Sequence, residues 1–172
     1  QLWVVPVAGG EPVALVHEDK ADTSPRWSPD GKRLAFLSTR DDGSQVWVVD
    51  MAQGRAVGKP RQVTTVATEV SSFTWSPDGR WLAFASDVYP ACSSAACNKQ
   101  ALKDFEDRKS KARVFDQLLY RHWVSWKDGR FSHLFLVPSD GSSEPRDLTP
   151  GAADVPPFSL GGPDDYTFSP DS

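Results

Sequence analysis

A short segment that occurs twice constrains the fold of this chain more than any other feature. Residues 27–38 read Trp-Ser-Pro-Asp-Gly-Lys-Arg-Leu-Ala-Phe-Leu-Ser, and residues 75–86 read Trp-Ser-Pro-Asp-Gly-Arg-Trp-Leu-Ala-Phe-Ala-Ser. The two copies begin 48 positions apart, and a third copy begins at Phe168. In Ser-Pro-Asp-Gly the proline presets φ, the aspartate tolerates the third turn position and the glycine relieves the fourth. Because strand-like runs lie on both sides of this turn, each copy predicts a β-hairpin.

Further strand-like runs complete each hairpin to a unit of four short strands. After the first copy come the run 45–50, a longer turn over 51–60 and a closing strand over 61–64. After the second copy the corresponding runs are 133–138 and 145–149. Four strands repeated about every 40–50 residues are typical of β-propeller blades. We therefore predict an all-β fold, a partial β-propeller of four-stranded antiparallel blades with one helical insertion.

The same pattern predicts where the blades begin and end. We expect the end of one blade over 1–22, a full blade over 23–66, and a second full blade over 71–150. A helical insertion over 87–130 interrupts the second blade, and the next blade starts within 164–172. Since propellers close a ring of about 4–8 blades, we expect this chain to supply part of a ring and not to close one alone.

Charge and composition argue against a nucleic-acid partner and against a membrane-spanning helix. The net charge of −4 argues against a general binder of nucleic acid. No apolar run approaches the roughly 20 residues of a membrane-spanning helix, so we predict no membrane span. The 14 Pro and 12 Gly residues fit many short strands joined by tight turns.

The insertion changes from strand-like to helical sequence. One stripe of positions recurs at steps of three and four residues, which predicts an amphipathic helix over 99–120, either continuous or broken near Ser110, with Asn98 as its N-cap. The stripe contains Ala101, Phe105, Arg108, Ala112, Phe115 and Leu119. The helix could decorate a blade edge, or form a lid or subsite wall over the propeller mouth. We favour the lid, because long insertions in compact folds are often functional.

Glu106 and Asp107 on the predicted helix are candidate substrate-binding residues. Adjacent Lys and Arg residues favour a solvated helix face. The alternative is a carboxylate that binds a substrate ammonium group.

Arg121 and His122 are candidate binding residues in an aromatic stretch over 120–129. The stretch could form an aromatic and cationic binding surface. Alternatively, Trp123 and Trp126 pack the helix onto the blade while Arg121 pairs with a local acid. We expect packing for the two tryptophans, since buried aromatics dominate core energetics. For Arg121 and His122 the sequence favours neither a binding nor a structural role.

Motifs for catalysis, metals and cofactors are missing from the sequence. There is no Gly-x-Ser-x-Gly nucleophile motif, no Walker or dinucleotide loop, and no histidine pair at metal-ligand spacing. We therefore predict no catalytic residue, no metal site and no cofactor. Cys92 and Cys97 could form a small disulfide loop in an oxidising compartment or remain free thiols.

The blade pattern resembles the TolB-like propeller repeat, while the Gly-His and Trp-Asp marks of WD40 blades are missing. TolB-like repeats occur in TolB and in the N-terminal propeller of prolyl oligopeptidase family serine peptidases. The insertion carries Asp-Val-Tyr-Pro-x-Cys and then Tyr-Arg-His-Trp-Val-Ser-Trp-Lys-Asp-Gly-Arg. It looks like that of secreted type 5 dipeptidyl peptidases and their acylaminoacyl-peptidase-like relatives.

The resemblance implies a periplasmic or secreted parent enzyme with a separate α/β-hydrolase domain that holds a Ser-Asp-His triad. The propeller would then gate the access of short peptides to that domain, and its insertions would help to bind the free amino terminus of the substrate. None of the triad lies in this chain, so no catalytic residue is carried over. The alternative is a TolB-type periplasmic protein-interaction propeller, which leaves the insertion without a role.

Overall fold

The computed structural model describes residues 1–15, 20–41, 43–115, 118, 120–157 and 165–171. Described neighbouring strands pair antiparallel throughout. In chain order the elements are β1 (Trp3–Val4), β2 (Val13–Ala14), β3 (Asp22–Trp27), β4 (Arg33–Ser38), β5 (Gln45–Ala52), β6 (Arg55–Gln62), β7 (Ser72–Trp75), β8 (Trp81–Val88), α1 (Ala95–Asp107), β9 (Arg121–His122), β10 (Ser125–Trp126), β11 (Phe131–Pro138) and β12 (Arg146–Asp147).

The first four-stranded sheet has the order β3-β4-β5-β6. The longer turn predicted over 51–60 is wrong, because β5 and β6 are joined by a two-residue turn at Gln53 and Gly54. Both residues have positive φ, 50° and 73°, the conformation of hairpin turns whose twist matches that of the strands. Pro60 suggested a loop from sequence, but it lies on the edge strand β6, where proline is tolerated.

The second four-stranded sheet has the order β12-β11-β8-β7. Its two central strands pair without interruption from Trp81↔Pro138 to Val88↔Phe131. The chain therefore leaves β8 and re-enters β11 at the same end of the sheet. The described residues between these two points lie outside the blade.

The two sheets pack face to face, and both faces of the first sheet are buried. Because successive side chains of a strand alternate between faces, the first sheet contributes to two separate cores. One core lies towards the small β1-β2 sheet and contains Leu2, Leu15, Leu34, Phe36, Val49 and Met51. The other joins the two large sheets and contains Ala35, Leu37, Val46 and Val48 with Phe73, Trp75, Leu82, Phe84, Phe135 and Val137.

The two Ser-Pro-Asp-Gly turns, at 28–31 and 76–79, have the same hydrogen bonds. The serine Oγ donates to the aspartate Oδ1, at 2.6 Å in the first turn and 2.7 Å in the second. The same hydroxyl accepts the backbone N–H of the residue that opens the next strand, Arg33 or Trp81, at 2.9 Å in each. The turn glycines have φ of 68° and 69°, a conformation that glycine adopts without strain. The predicted hairpins are thus confirmed.

The helix in the insertion begins earlier than predicted. Ser94 is its N-cap, and the Ser94 side chain accepts the N–H of Cys97 at 3.2 Å. Asn98, the predicted cap, is instead buried within α1. Its Oδ1 accepts the N–H of Tyr89 at 2.8 Å, so this side chain ties the helix to the end of β8.

The helix also ends earlier than predicted, at Asp107. Arg108 leaves the helical conformation, with φ −57° and ψ 135°, and its guanidinium lies 3.9 Å from the centroid of the Phe105 ring. Lys111 Nζ donates to the carbonyl of Glu106 at 2.7 Å, which satisfies an acceptor at the helix terminus. Residues 108–115 are not helical. Of the remaining predicted helix, 116, 117 and Leu119 lie outside the described residues.

A small hairpin of β9 and β10 follows, and it carries exposed tryptophans. Trp126 stacks on Phe115, with ring centroids 5.6 Å apart, and lies 6.4 Å from the Tyr120 ring. Trp126 is 38% exposed and Trp123 is 83% exposed. The expectation that both tryptophans pack the helix onto the blade is therefore wrong, because Trp126 packs within its own local cluster.

Candidate functional site

An open groove lies between α1 and residues 63–71, which connect the two four-stranded sheets. Its volume is about 1070 Å³. The helix α1 forms one wall of this groove, and Asn98 ties its first turns to the end of β8. The facing walls are lined by Gln62, Thr65, Val66, Ala67, Thr68 and Glu69 on one side and by Ala95, Ala96, Lys99, Leu102, Lys103 and Glu106 on the other.

The base of the helix wall is held by a disulfide as well as by its cap. Cys92 and Cys97 are bonded, with their Cα atoms 5.3 Å apart. Asn98 Nδ2 donates to the carbonyl of Ser94 at 3.2 Å. The start of α1 is thus fixed by one covalent link and several local hydrogen bonds, although its sides remain open to solvent.

The opposite wall is held by Gln45, a buried residue at the start of β5. Gln45 Nε2 donates to the carbonyl of Val66 at 2.7 Å, and Oε1 accepts the Thr64 hydroxyl at 2.8 Å. The same Oε1 accepts the N–H of Val66 at 3.2 Å. One amide side chain therefore fixes the path of the connecting segment as it leaves the first sheet.

His133 holds in β11 the place that Gln45 holds in β5. The ring is 2% exposed. Its Nδ1 lies 2.7 Å from Asp147 Oδ2, and its Nε2 lies 2.8 Å from the carbonyl oxygen of Gly151. Both ring nitrogens are used in fixing the exit from the second sheet, so this histidine has a structural role.

A second cavity, of about 660 Å³, lies beside the first turn of α1 and the rim of the second sheet. Its lining includes Cys92, Asn98, His133 and Phe135. The amino-terminal part of α1 therefore separates two cavities.

Charged groups crowd the base of the insertion, where Arg130 lines the groove. Arg130 Nη2 and Nε donate to Asp128 Oδ2 at 2.7 and 3.0 Å. Burial alone would raise the pKa of Asp128, but the hydrogen bonds and charge of Arg130 hold it below its ordinary value. Burial raises the pKa of Asp87, against the attraction of Arg130 and Lys127. Burial also raises the pKa of Tyr89, whose hydroxyl is without a hydrogen-bond partner among the described residues.

The structure separates the two acids that the sequence placed together. Glu106 lines the groove, whereas Asp107 is exposed at the last position of α1 and outside the lining. Of these two acids, Glu106 is therefore the one that a molecule in the groove can reach, where Glu69 of the facing wall also lies.

The structure places Arg121 away from the groove, on the β9-β10 hairpin. Its Nε donates to the carbonyl of Trp123 at 2.6 Å, and its guanidinium lies 4.8 Å from the centroid of the Trp126 ring. His122 pairs with Ser125 through the backbone, and the structure does not describe the His122 side chain. Glu106, Asp107 and Arg121 thus do not lie in one site.

The connecting segment is the part of the groove that the sequence analysis did not identify. Its signal is a polar residue at the start of an otherwise apolar third strand, Gln45 in one blade and His133 in the other. In a buried position such a residue needs hydrogen-bond partners, and here it finds them in the exit from its own blade.

No group of three or more His, Cys, Asp and Glu residues that could hold a metal is found in the described parts of the chain. No helix among the described residues combines the length and apolar character needed to cross a membrane.

Curated relatives of the chain include peptidases, although no family model matches it. The chain is 37% identical over 71 residues to a protein named uncharacterized peptidase YuxL of Bacillus subtilis. The matched residues make up 41% of this chain and 10% of that protein. It is 27% identical over 137 residues to dipeptidyl-peptidase 5 of Porphyromonas endodontalis. That match covers 80% of this chain and 18% of the relative. The chain thus spans a small part of the length of the relatives that it matches.

Solved structures show which fold the sheets belong to. A structure of TolB from Agrobacterium tumefaciens superposes with a TM-score of 0.52 at 20% identity, covering 86% of this chain and 40% of that one. Acylaminoacyl peptidase of Pyrococcus horikoshii superposes with a TM-score of 0.55 at 20% identity, covering 86% of this chain and 20% of that one. The predicted all-β, partial propeller is confirmed, and the described strands form no closed sheet. The chain thus has a β-propeller fold like that of TolB, and its sequence is similar to parts of proteins named as peptidases.

Proposed function

We propose that this chain is the non-catalytic propeller of a secreted or periplasmic serine exopeptidase of the dipeptidyl peptidase type. In this role the propeller admits short peptides to a separate α/β-hydrolase domain and excludes larger substrates. The observation that carries the proposal is the open groove that α1 forms with the segment over 63–71, between the two blades. The sequence similarity to dipeptidyl-peptidase 5 supports it.

Access would be limited by size and by charge. A groove of about 1070 Å³ is close to the roughly 300–1,000 Å³ of small-molecule sites. It has room for a few residues of extended peptide but not for a folded domain. Glu106 offers a carboxylate to a peptide amino terminus, and Lys103 on the same helix face offers an ammonium group to acidic peptide groups.

The location outside the cytoplasm is supported by the disulfide between Cys92 and Cys97. Disulfides persist in oxidising compartments such as the periplasm and the extracellular space. This chemistry agrees with a secreted or periplasmic parent protein.

The test fills the groove in the whole parent protein. Leu102→Trp places an indole in the groove, and Gln100→Trp places the same side chain on an exposed position of α1. We expect Leu102→Trp to lower kcat/KM for a longer peptide about tenfold more than for a dipeptidyl chromogenic substrate, which is a differential barrier of about 1.4 kcal/mol. Gln100→Trp should leave kcat/KM unchanged for both substrates. Equal losses on both substrates with Leu102→Trp would contradict the gating role.

The TolB-type interaction propeller is the rival function, and the likeness to the TolB structure favours it to the extent that a shared fold can. Labelling the whole parent protein with a fluorophosphonate separates the two, because only a serine hydrolase reacts. We expect labelling of the parent protein and no peptide hydrolysis by this chain alone. Hydrolysis by the chain alone, sensitive to the fluorophosphonate, would refute its non-catalytic role.

A further inference from the structure

The segment over 108–130 differs sharply in charge from the rest of the chain. It holds seven of the 19 Lys and Arg residues but two of the 23 Asp and Glu residues, so it is net +5 where the remainder is net −9. Such an asymmetry indicates a local surface that attracts anions although the chain as a whole is acidic.

Two arginines of this segment flank one aromatic ring. The Cζ atoms of Arg121 and Arg113 lie 4.8 and 5.3 Å from the ring centroid of Trp126. Among the described residues, no carboxylate pairs with either arginine, and Arg121 uses one N–H on the carbonyl of Trp123. Because a guanidinium carries five N–H donors, most of these donors are available to an external acceptor.

Aliphatic side chains close to these arginines in the sequence are almost fully exposed. Val114 is 91% exposed, Leu118 is 92% exposed, and Val124, in the turn of the β9-β10 hairpin, is 85% exposed. Phe115 and Tyr120, from the same stretch of sequence, have ring centroids 5.0 Å apart. Cationic, aromatic and aliphatic groups therefore occur together on one exposed segment.

We propose that the β9-β10 hairpin, with Arg113, Val114 and Leu118, docks on a membrane surface that contains anionic phospholipid. Lipid phosphates accept the free guanidinium donors, the aromatic rings suit the headgroup region, and the aliphatic side chains gain by leaving water. An acidic peptide would match the arginines alone and would leave the exposed aliphatic side chains without a partner, so the lipid surface fits more of the segment. The proposal is independent of the peptidase function.

The test is co-sedimentation of the whole protein with vesicles. We expect binding to vesicles of phosphatidylcholine and phosphatidylglycerol, little binding to phosphatidylcholine alone, and weaker binding as salt increases. Arg113→Gln with Arg121→Gln should weaken binding about 30-fold, since each cation near an anionic surface contributes about 1 kcal/mol. Val124→Ser, which keeps both arginines, should weaken it several-fold.

A matched control removes two positive charges elsewhere. Arg55→Gln with Lys59→Gln makes the same change of charge at exposed positions of the first sheet and should leave vesicle binding within twofold. Equal loss in the control, equal binding to neutral vesicles, or no vesicle binding by the wild-type protein would overturn the proposal. Binding of an acidic peptide without vesicle binding would overturn it in favour of a peptide partner. Because these outcomes include wild-type measurements, the test does not depend on a variant that folds.

Discussion

Arg33 joins the two blades at the end opposite the groove, and its removal is the sharpest test of how they are held together. Its Nη2 donates to the carbonyl of Gly79 at 2.7 Å, and its Nη1 donates to the buried Ser139 hydroxyl at 2.8 Å. The guanidinium also lies 5.0 Å from the centroid of the Trp75 ring. One side chain of the first blade thus bonds to two turns of the second.

The expected cost of Arg33→Met follows from these contacts. Methionine keeps the apolar stem but loses two charge-assisted hydrogen bonds, each of which contributes about 1.5–3 kcal/mol. The Ser139 hydroxyl still donates to the Gly79 carbonyl, at 2.8 Å, so that acceptor keeps a partner. Because this acceptor stays satisfied, we expect the free energy of unfolding to fall by about 3–4 kcal/mol, the lower part of the roughly 3–6 kcal/mol for two such bonds.

Urea unfolding in a double-mutant cycle measures this contribution. Arg33→Met, Ser139→Ala and the double variant should show a coupling energy of about 1 kcal/mol or more, because the two side chains share a hydrogen bond. Arg80→Met is the control, since Arg80 is 78% exposed and pairs only within its own turn; it should change stability little. A loss below about 0.5 kcal/mol for Arg33→Met, or strictly additive effects, would refute the role of Arg33.

Two further predictions concern the turns and the buried histidine. The hydrogen bonds from the Ser76 hydroxyl and the backbone N–H of Arg80 lower the pKa of Asp78 to about 2 from 3.8. The folded state is therefore stabilised by these bonds fully above pH 3.8, and it loses this stabilisation as the pH falls through about 2. Ser76→Ala should raise that pKa towards 3.8 in an NMR titration of the carboxyl group, and an unchanged pKa would contradict the network. His133→Gln should keep most of the stability, since glutamine serves the corresponding place in β5, whereas His133→Leu removes both hydrogen bonds of the ring and should cost about 1–3 kcal/mol in urea unfolding. Equal losses in the two variants would show that the hydrogen bonds do not matter.

The hairpins were predictable because their determinants are local. Each Ser-Pro-Asp-Gly turn is closed by bonds within its own few residues, such as that from Ser28 to Asp30. The repetition of this chemistry at blade spacing was enough to predict the four-stranded sheets. Where the chemistry was less distinctive, at Gln53 and Gly54, the turn was misplaced.

The groove was less predictable because its walls are set by contacts between distant residues. The helix begins at Ala95 because Ser94 caps it while Asn98 bonds to Tyr89, and periodicity alone does not rank two competing caps. The opposite wall follows from Gln45 reaching Val66 across the fold. The two tryptophans of the hairpin were assigned to packing because aromatic residues are usually buried, and no local signal distinguishes an exposed one.

The unbroken ladder between β8 and β11 makes residues 89–130 an attachment to the propeller rather than a part of it. Both ends of the attachment emerge side by side, so the blade core does not depend on its length or its sequence. Insertions of different sequence can therefore be accommodated at this one position. Proteins that share the propeller fold could in this way differ in substrate preference and in location.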